Sequence, residues 1–130
     1  MGTTAVIRWR KLAVFGKLFG RKQPDVNDLD RRTISELRKA GADLRLPRDT
    51  IHYLYFQTQD GANVAADQLR ADGFTANAKP AASGNDPWVV IANQDLVVNE
   101  ESVRAMRDLA EAAARAGGGE YDGWEAAALP

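Results

Sequence analysis

Few residues of this chain are of the types that perform chemistry, and their spacing does not assemble a catalytic or metal site. The sequence has no cysteine and a single histidine, His52, within the run IHYLYF at residues 51–56. No serine or cysteine lies beside this histidine, and a strand histidine between apolar neighbours is typically packed in a core. We therefore expect no catalytic residue, no metal site and no enzyme activity.

The carboxylates and glycines have structural explanations as well. The acidic pair at residues 100–101 stands at a predicted helix start, where the helix dipole favours negative charge. Residues 25–28 lack the spacing and the closing glutamate of a calcium loop. The glycines 117–119 follow a helix rather than precede one, so they form no phosphate cradle. A hydrolase that uses carboxylates is kept only as a third hypothesis.

Charge is distributed unevenly along the 130 residues. Residues 1–22 carry six basic side chains and no acid, whereas the rest of the chain holds 11 basic and 18 acidic side chains, a net charge of −7. An acidic domain repels phosphates and attracts basic partners. This distribution argues against nucleic acid as the ligand of the folded part and favours a basic protein.

The first 25 residues are predicted to be a mobile basic extension, followed by one domain over residues 26–130. Their longest apolar run, LAVFGKLFG, is interrupted by Lys17 and is shorter than the ~20 residues of a membrane span. The run also lacks the small-residue cleavage site of a secretory signal. Loose docking of the aromatic side chains on the domain, or contact with a membrane or RNA, are the alternatives.

The hydrophobic pattern predicts the order helix, strand, helix, strand, strand, helix. The helices are expected at 28–40, 61–72 and from residue 100 to the glycines 117–119, with strands at 50–57, 74–79 and 87–93. If GEYDGW adds a last edge strand, the result is an α+β fold, a ferredoxin-like split βαβ sandwich with an extra N-terminal helix. Gly41 is expected after the first helix, in the left-handed position, and Asp60 and Asn99 are the expected N-caps of the other two. The first helix has a three-to-four spacing of Leu29, Ile34, Leu37 and Ala40, the second is expected to bury Val64, Ala65 and Leu69, and the third has an apolar stripe of Val103, Met106, Ala110 and Ala113.

The strand IHYLYF must present different residues on its two sides, because side chains alternate along a strand. Leu54 and Phe56 are expected to face the core, which places Tyr53 and Tyr55 on the opposite side of the sheet. The N-terminal helix or the YDGW segment could cover these tyrosines. Alternatively they could stack RNA bases, although the acidic surroundings favour coverage or protein contact.

Four segments of the chain resemble the ribonuclease E inhibitor RraB-like family, the regulators of ribonuclease E activity B. They are ISELRKAGADLRLPRDTIHYLYF, AADQLRADGF, WVVIA and GGGEYDGWEAA, over about residues 28–128. The resemblance implies a small cytoplasmic α+β sandwich that binds an RNase E-type endoribonuclease at its noncatalytic, arginine-rich scaffold region and lowers its activity. It implies no cofactor, no catalytic residue and no direct contact with nucleic acid. The basic residues 1–22 are not part of the family pattern.

The run YDGWE contains a turn-forming pair, Asp122–Gly123, that allows positive φ at the glycine. Such a turn would direct Tyr121 and Trp124 onto neighbouring surfaces, with Trp124 sealing the sheet against the strand tyrosines. Exposed tyrosine and tryptophan side chains are also frequent in binding hot spots. The candidate partner-binding residues are therefore Tyr53, Tyr55, Tyr121, Asp122 and Trp124. The alternatives are an RNA-binding module that uses the same tyrosines with the basic extension, and a different protein partner.

Overall fold

The computed structural model describes residues 6–8, 25–82 and 85–128, which form five strands and three helices. In chain order the elements are β1 (Val6–Arg8), α1 (Val26–Lys39), β2 (Arg48–Phe56), α2 (Gln59–Ala71), β3 (Thr75–Pro80), β4 (Trp88–Leu96), α3 (Glu100–Ala116) and β5 (Glu120–Ala127).

All strand pairings in the sheet are antiparallel, in the order β1-β5-β2-β4-β3. The α2 crossover joins β2 to β3, and β4 lies between these two strands, which is the split βαβ arrangement. The predicted ferredoxin-like α+β sandwich is thus confirmed. The last strand is not at the edge, however, because Val6–Arg8 pairs with its outer side. The other residues of the predicted mobile extension, up to residue 24, lie outside the described residues.

Side-chain caps fix the starts of the helices. Asp25 accepts the backbone N–H of Asn27 at the start of α1, and Asn99 forms a reciprocal capping box with Ser102 at the start of α3. The α2 cap is Thr58, whose hydroxyl accepts from the backbone of Gly61, so the predicted cap Asp60 is wrong. Asp60 instead lies in the first turn, where the helix dipole favours its charge.

Three glycines with positive φ follow the helices, namely Gly41, Gly73 and Gly118 at 98°, 96° and 71°. After each, an N–H returns to the last helical turn, from Ala42 to Leu37, from Phe74 to Leu69 and from Gly119 to Ala114, at 2.8–3.1 Å. These bonds satisfy carbonyls that the helix end leaves unpaired. The predicted role of Gly41 is confirmed.

The core lies between the helices and one face of the sheet, and the predicted α3 stripe is buried as expected. Val64 of α2 was predicted to be buried, but 48% of its surface is exposed. Ala40, the last residue in the apolar spacing of α1, is exposed as well and caps the helix. The buried side of α2 has helical spacing and consists of Ala62, Ala65, Ala66 and Leu69, which leaves Val64 on the solvent side. No helix in the described part of the chain is long and apolar enough to span a membrane.

Glycines also permit two close backbone contacts where α3 ends. A Cβ on Gly117 would lie 2.2 Å from the carbonyl oxygen of Gly61 in α2, and a Cβ on Gly119 would lie 2.2 Å from that of Tyr55 in β2. No real Cβ tolerates such a distance, so the glycine run does more than end a helix. It lets α2, α3 and β2 approach one another at a single corner of the fold.

Candidate protein-binding face

The two sides of β2 differ in burial, as the alternation predicted. Thr50, His52, Leu54 and Phe56 point into the helix-covered core and are essentially inaccessible, whereas the residues between them are half-buried. Strand register also shows which residues of β2 to β5 share the second side, which we call the open face. They are Asp49, Ile51, Tyr53, Tyr55, Thr75, Asn77, Lys79, Val89, Ile91, Asn93, Asp95, Glu120 and Glu125. Val89 and Glu125 are nevertheless buried. The three described helices pack against the other side.

A β-bulge at Asp122–Gly123 interrupts the alternation of β5. His52 pairs with Trp124 and Leu54 pairs with Tyr121, so three steps along β5 match two along β2. Gly123 has φ of 102°, which confirms the predicted positive φ but places it in a strand bulge rather than in a turn. As a result, Tyr121 and Trp124 both point to the helix side of the sheet.

The structure therefore corrects the predicted aromatic patch. Trp124 has no exposed surface and Tyr121 only 5%, and both lie on the side of the sheet opposite to Tyr53 and Tyr55. Trp124 does not seal the strand tyrosines, because its indole N–H donates to Asp30 of α1 at 3.0 Å. These two aromatic residues join the sheet to the helices.

Asp30 is the centre of a buried polar network that the sequence did not indicate. Its second carboxylate oxygen accepts from Nε of Arg107 at 3.0 Å, and Arg107 also donates to the amide oxygen of Asn27 at 2.7 Å. The side chains of Asp30 and Arg107 are 4% and 5% exposed. In the sequence, an aspartate near a helix start is explained by its favourable interaction with the helix dipole. Only the fold shows that α3 brings Arg107 to Asp30.

His52 is a packed core residue, as predicted. Its Nδ1 lies 2.8 Å from the Tyr121 hydroxyl, and its ring meets Phe74 edge to face. Within the described part of the chain its Nε2 has no hydrogen-bond partner. Burial lowers the pKa of His52 to about 3 and raises the pKa of Tyr121 well above its usual value, because each charged form would lose its hydration. His52 is therefore neutral at physiological pH.

On the open face, Tyr53 and Tyr55 lie where the sequence placed them. The Tyr53 hydroxyl donates to the carboxylate of Glu125 on the neighbouring strand. Ile91 and Val89 of β4 stand directly opposite these tyrosines and give the face an apolar centre. Asp122 is half-buried at the bulge beside them.

The acid excess of the domain lies outside its helices. The helices carry eight basic and nine acidic side chains, whereas the strands and loops of residues 25–130 carry three basic and nine acidic ones. On the open face, Asp49 and Asp95 stand directly opposite each other and both are exposed, and Glu120 is exposed on β5. Such a face attracts cations over distances longer than a direct contact.

The described residues include no group of three or more histidine or acidic side chains placed to hold a metal ion.

The fold is an α+β sandwich with one helix-covered sheet face and one acidic, aromatic face. The family model for regulator of ribonuclease activity B matches residues 27–126, most of the chain. The chain belongs to this family, which confirms the resemblance. A search of curated proteins found no match.

Proposed function

We propose that this protein regulates RNA turnover by binding an RNase E-type endoribonuclease and lowering its activity. Two findings support the proposal: the membership in a family of ribonuclease-activity regulators and the acidic open face. It acts by contact rather than by catalysis, and we place it with the nuclease in the cytoplasm.

The observation that carries the proposal is the acid excess on the sheet face opposite the helices, where Asp49, Asp95 and Glu120 are exposed against one exposed lysine, Lys79. Carboxylates on a surface steer basic partners into contact and discriminate against acidic ones. An arginine-rich segment of the nuclease, such as the scaffold region that the family resemblance implies, has the complementary charge. Arginine also stacks on aromatic rings, which Tyr53 and Tyr55 supply at the apolar centre of the face.

The proposed contact residues differ in part from those expected from sequence. Tyr53, Tyr55 and Asp122 stay candidates, and Asp49, Asp95 and Glu120 join them because they are exposed and share the face or border it. Tyr121 and Trp124 would act indirectly, by holding β5 against the helices. The domain over residues 26–130 is the proposed binding unit, and the basic extension of residues 1–25 is joined to it by the pairing of Val6–Arg8 with β5.

A pull-down from lysate of the host, with the full chain as bait, tests this function. We compare the wild type with the double variant Asp49→Asn/Asp95→Asn on the open face. The control is Glu101→Gln/Asp108→Asn, which removes the same charge from exposed positions of α3. We expect the wild type and the control to recover the nuclease, and the open-face variant to recover about tenfold less.

Three outcomes would contradict different parts of the proposal, namely the binding face, the partner and the class of ligand. Equal losses of the nuclease in both variants would mean that net charge, rather than the open face, drives binding. Recovery of other proteins without the nuclease would leave the fold in place and remove the proposed partner. Recovery of RNA by the purified chain would instead favour the nucleic-acid alternative, which the carboxylates of the face oppose.

A further inference from the structure

The strand β3 is the outermost strand of the sheet on the side away from β1, and its outer edge has an unusual cover. Arg70 of α2 donates from Nε to the carbonyl oxygen of Ala76 at 2.9 Å. The guanidinium is held in place from behind, because its Nη1 contacts the Asp67 carboxylate one helical turn earlier at 2.8 Å. A helix side chain thus forms a hydrogen bond with an outward-facing backbone carbonyl of the edge strand.

The contact shows which backbone groups of β3 face outward. Ala76 gives its carbonyl to Arg70, so its main chain points away from β4. Alternate residues of an antiparallel ladder point the same way, which places Ala78 and Pro80 on the outer edge as well. Pro80 has no N–H to offer. The Ala78 peptide groups therefore lie between a position covered by Arg70 and a position that cannot donate.

Without the arginine, this edge would suit a second copy of itself. An antiparallel pair related by a two-fold axis at Ala78 would set Ala78 against Ala78, Asn77 against Lys79 and Ala76 against Pro80 of the other copy. The two Ala78 residues would exchange both of their backbone hydrogen bonds, and each Ala76 N–H could donate to the carbonyl of the opposing Pro80, although the Ala76 carbonyl would meet no N–H there. No like charges would then stand opposite each other, and the small side chains of Ala76 and Ala78 would not obstruct the approach. Because such an interface is isologous, every favourable contact occurs twice. Exposed edge strands of this kind pair readily unless something blocks them.

We propose that the outer edge of β3 is a strand-pairing surface which Arg70 keeps closed, and that its occupant, once opened, is β3 of a second copy. The guanidinium stands where the backbone of an incoming strand would lie, and two such cations would face each other's edge in the pair. The closed edge prevents contacts of this protein through the backbone of β3. This inference stands independently of the identity of the nuclease partner.

The test compares the self-association of the full chain with that of Arg70→Ala, by analytical ultracentrifugation over a wide range of concentrations. We expect Arg70→Ala to form a dimer with a dissociation constant at least about tenfold lower than that of the wild type. Arg104→Ala is the control, because it removes the same charge from an exposed position of α3, far along the fold from the β3 edge. It should associate no more than the wild type.

A second variant separates strand pairing from aggregation of unfolded chains. In Arg70→Ala/Ala78→Pro the central donor of the edge is lost, so the double variant should return to the monomer while the circular dichroism spectrum stays that of the folded protein. The proposal is overturned if Arg70→Ala associates no more than Arg104→Ala. It is equally overturned if the proline leaves the association unchanged, or if the wild type already pairs through β3.

Discussion

At the scale of single residues, the two most specific runs of the sequence meet across one pair of strands. IHYLYF forms most of β2 and YDGWE most of β5, and they are joined by His52 with Tyr121 and by Tyr53 with Glu125. Trp124 links the two strands to α1, because its indole N–H donates to the carboxylate of Asp30. The unusual residues of both runs are thus explained first by packing. Tyr53 and Tyr55 are the aromatic residues of these runs that lie on the open face, where both are half-buried.

Asp30 should be a critical polar residue for stability. Replacing it in Asp30→Asn removes the buried carboxylate that lies 3.0 Å from the guanidinium of Arg107. Breaking a buried ion pair typically costs about 3–5 kcal/mol, and we expect the lower end of this range because Glu111 and Asp108 still lie 3.8 and 3.9 Å from the guanidinium. Urea denaturation at neutral pH measures the change in the free energy of unfolding. Asp28→Asn is the control on the same helix, because Asp28 pairs with Arg31 at the surface and should cost under about 1 kcal/mol. Equal costs at the two positions would contradict the network.

The buried histidine should make stability fall with acid. The folded pKa of His52, about 3, lies below the unfolded value of 6.5, so the unfolded chain takes up the proton first. The stabilisation is complete above pH 6.5 and is lost progressively as the pH falls toward 3. Between pH 7 and pH 4 the loss should be about 3 kcal/mol.

The single histidine makes this measurement unambiguous. The ring resonances of His52 in an NMR titration should not shift between pH 8 and about pH 4, since burial keeps the imidazole neutral. In His52→Gln the free energy of unfolding should fall less steeply between pH 7 and pH 4. The pH-dependent contribution of the carboxylates is the same in both proteins and cancels in the comparison. A ring that titrates near pH 6.5 would show that the side chain is accessible.

At the scale of elements, sequence periodicity predicted all three helices and the strands β2, β3 and β4, with ends shifted by up to three residues. The strand β5 was expected only as a conditional edge strand, and it lies inside the sheet. It failed where an outcome depends on a neighbouring strand. The bulge at Asp122–Gly123 is visible only in the register between β5 and β2, so the same residues resemble a tight turn in sequence. Likewise Val64 fits an apolar stripe in sequence, but α2 turns its alanines and Leu69 to the core.

The glycine corner between α2 and α3 should be more sensitive to an added methyl group than the neighbouring helix terminus. Gly117→Ala places a Cβ against the Gly61 carbonyl and should cost about 2–3 kcal/mol by forcing the helices apart. Gly118→Ala adds the same group in open space and should cost about 1–2 kcal/mol from its positive φ alone. Thermal unfolding of the two variants gives the order. A Gly118→Ala change that costs more than Gly117→Ala would contradict the close contact.

At the scale of the whole molecule, the element order alone predicted the sandwich, since the split βαβ arrangement follows from strands and helices in that succession. The candidate site was predicted in part. Alternation placed Tyr53 and Tyr55 on the open face, but Tyr121 and Trp124 were assigned to the same surface because the bulge was not foreseen. The Asp30 network and the Asp49–Asp95 pair could not be foreseen, because each joins residues far apart in sequence that only the folded chain brings together.

The molecule divides its roles between the two sides of its sheet. One side, with the helices, holds the core and nearly balances its charges, whereas the other concentrates carboxylates around an apolar centre. If the nuclease binds the second side, its affinity must fall with added salt, since the interacting charges are exposed. Charges on the helices should matter little.

The most direct test is inhibition of the host's purified RNase E-type nuclease, scaffold region included, on a labelled RNA. The assay compares the wild type with the charge reversal Asp49→Lys/Asp95→Lys on the open face and with Glu101→Lys/Asp108→Lys on α3, each shown to be folded by circular dichroism. We predict that the open-face reversal raises the half-inhibitory concentration by about a hundredfold and that the helix reversal changes it less than about threefold. Equal inhibition by all three proteins would contradict the claim that the open face binds the nuclease.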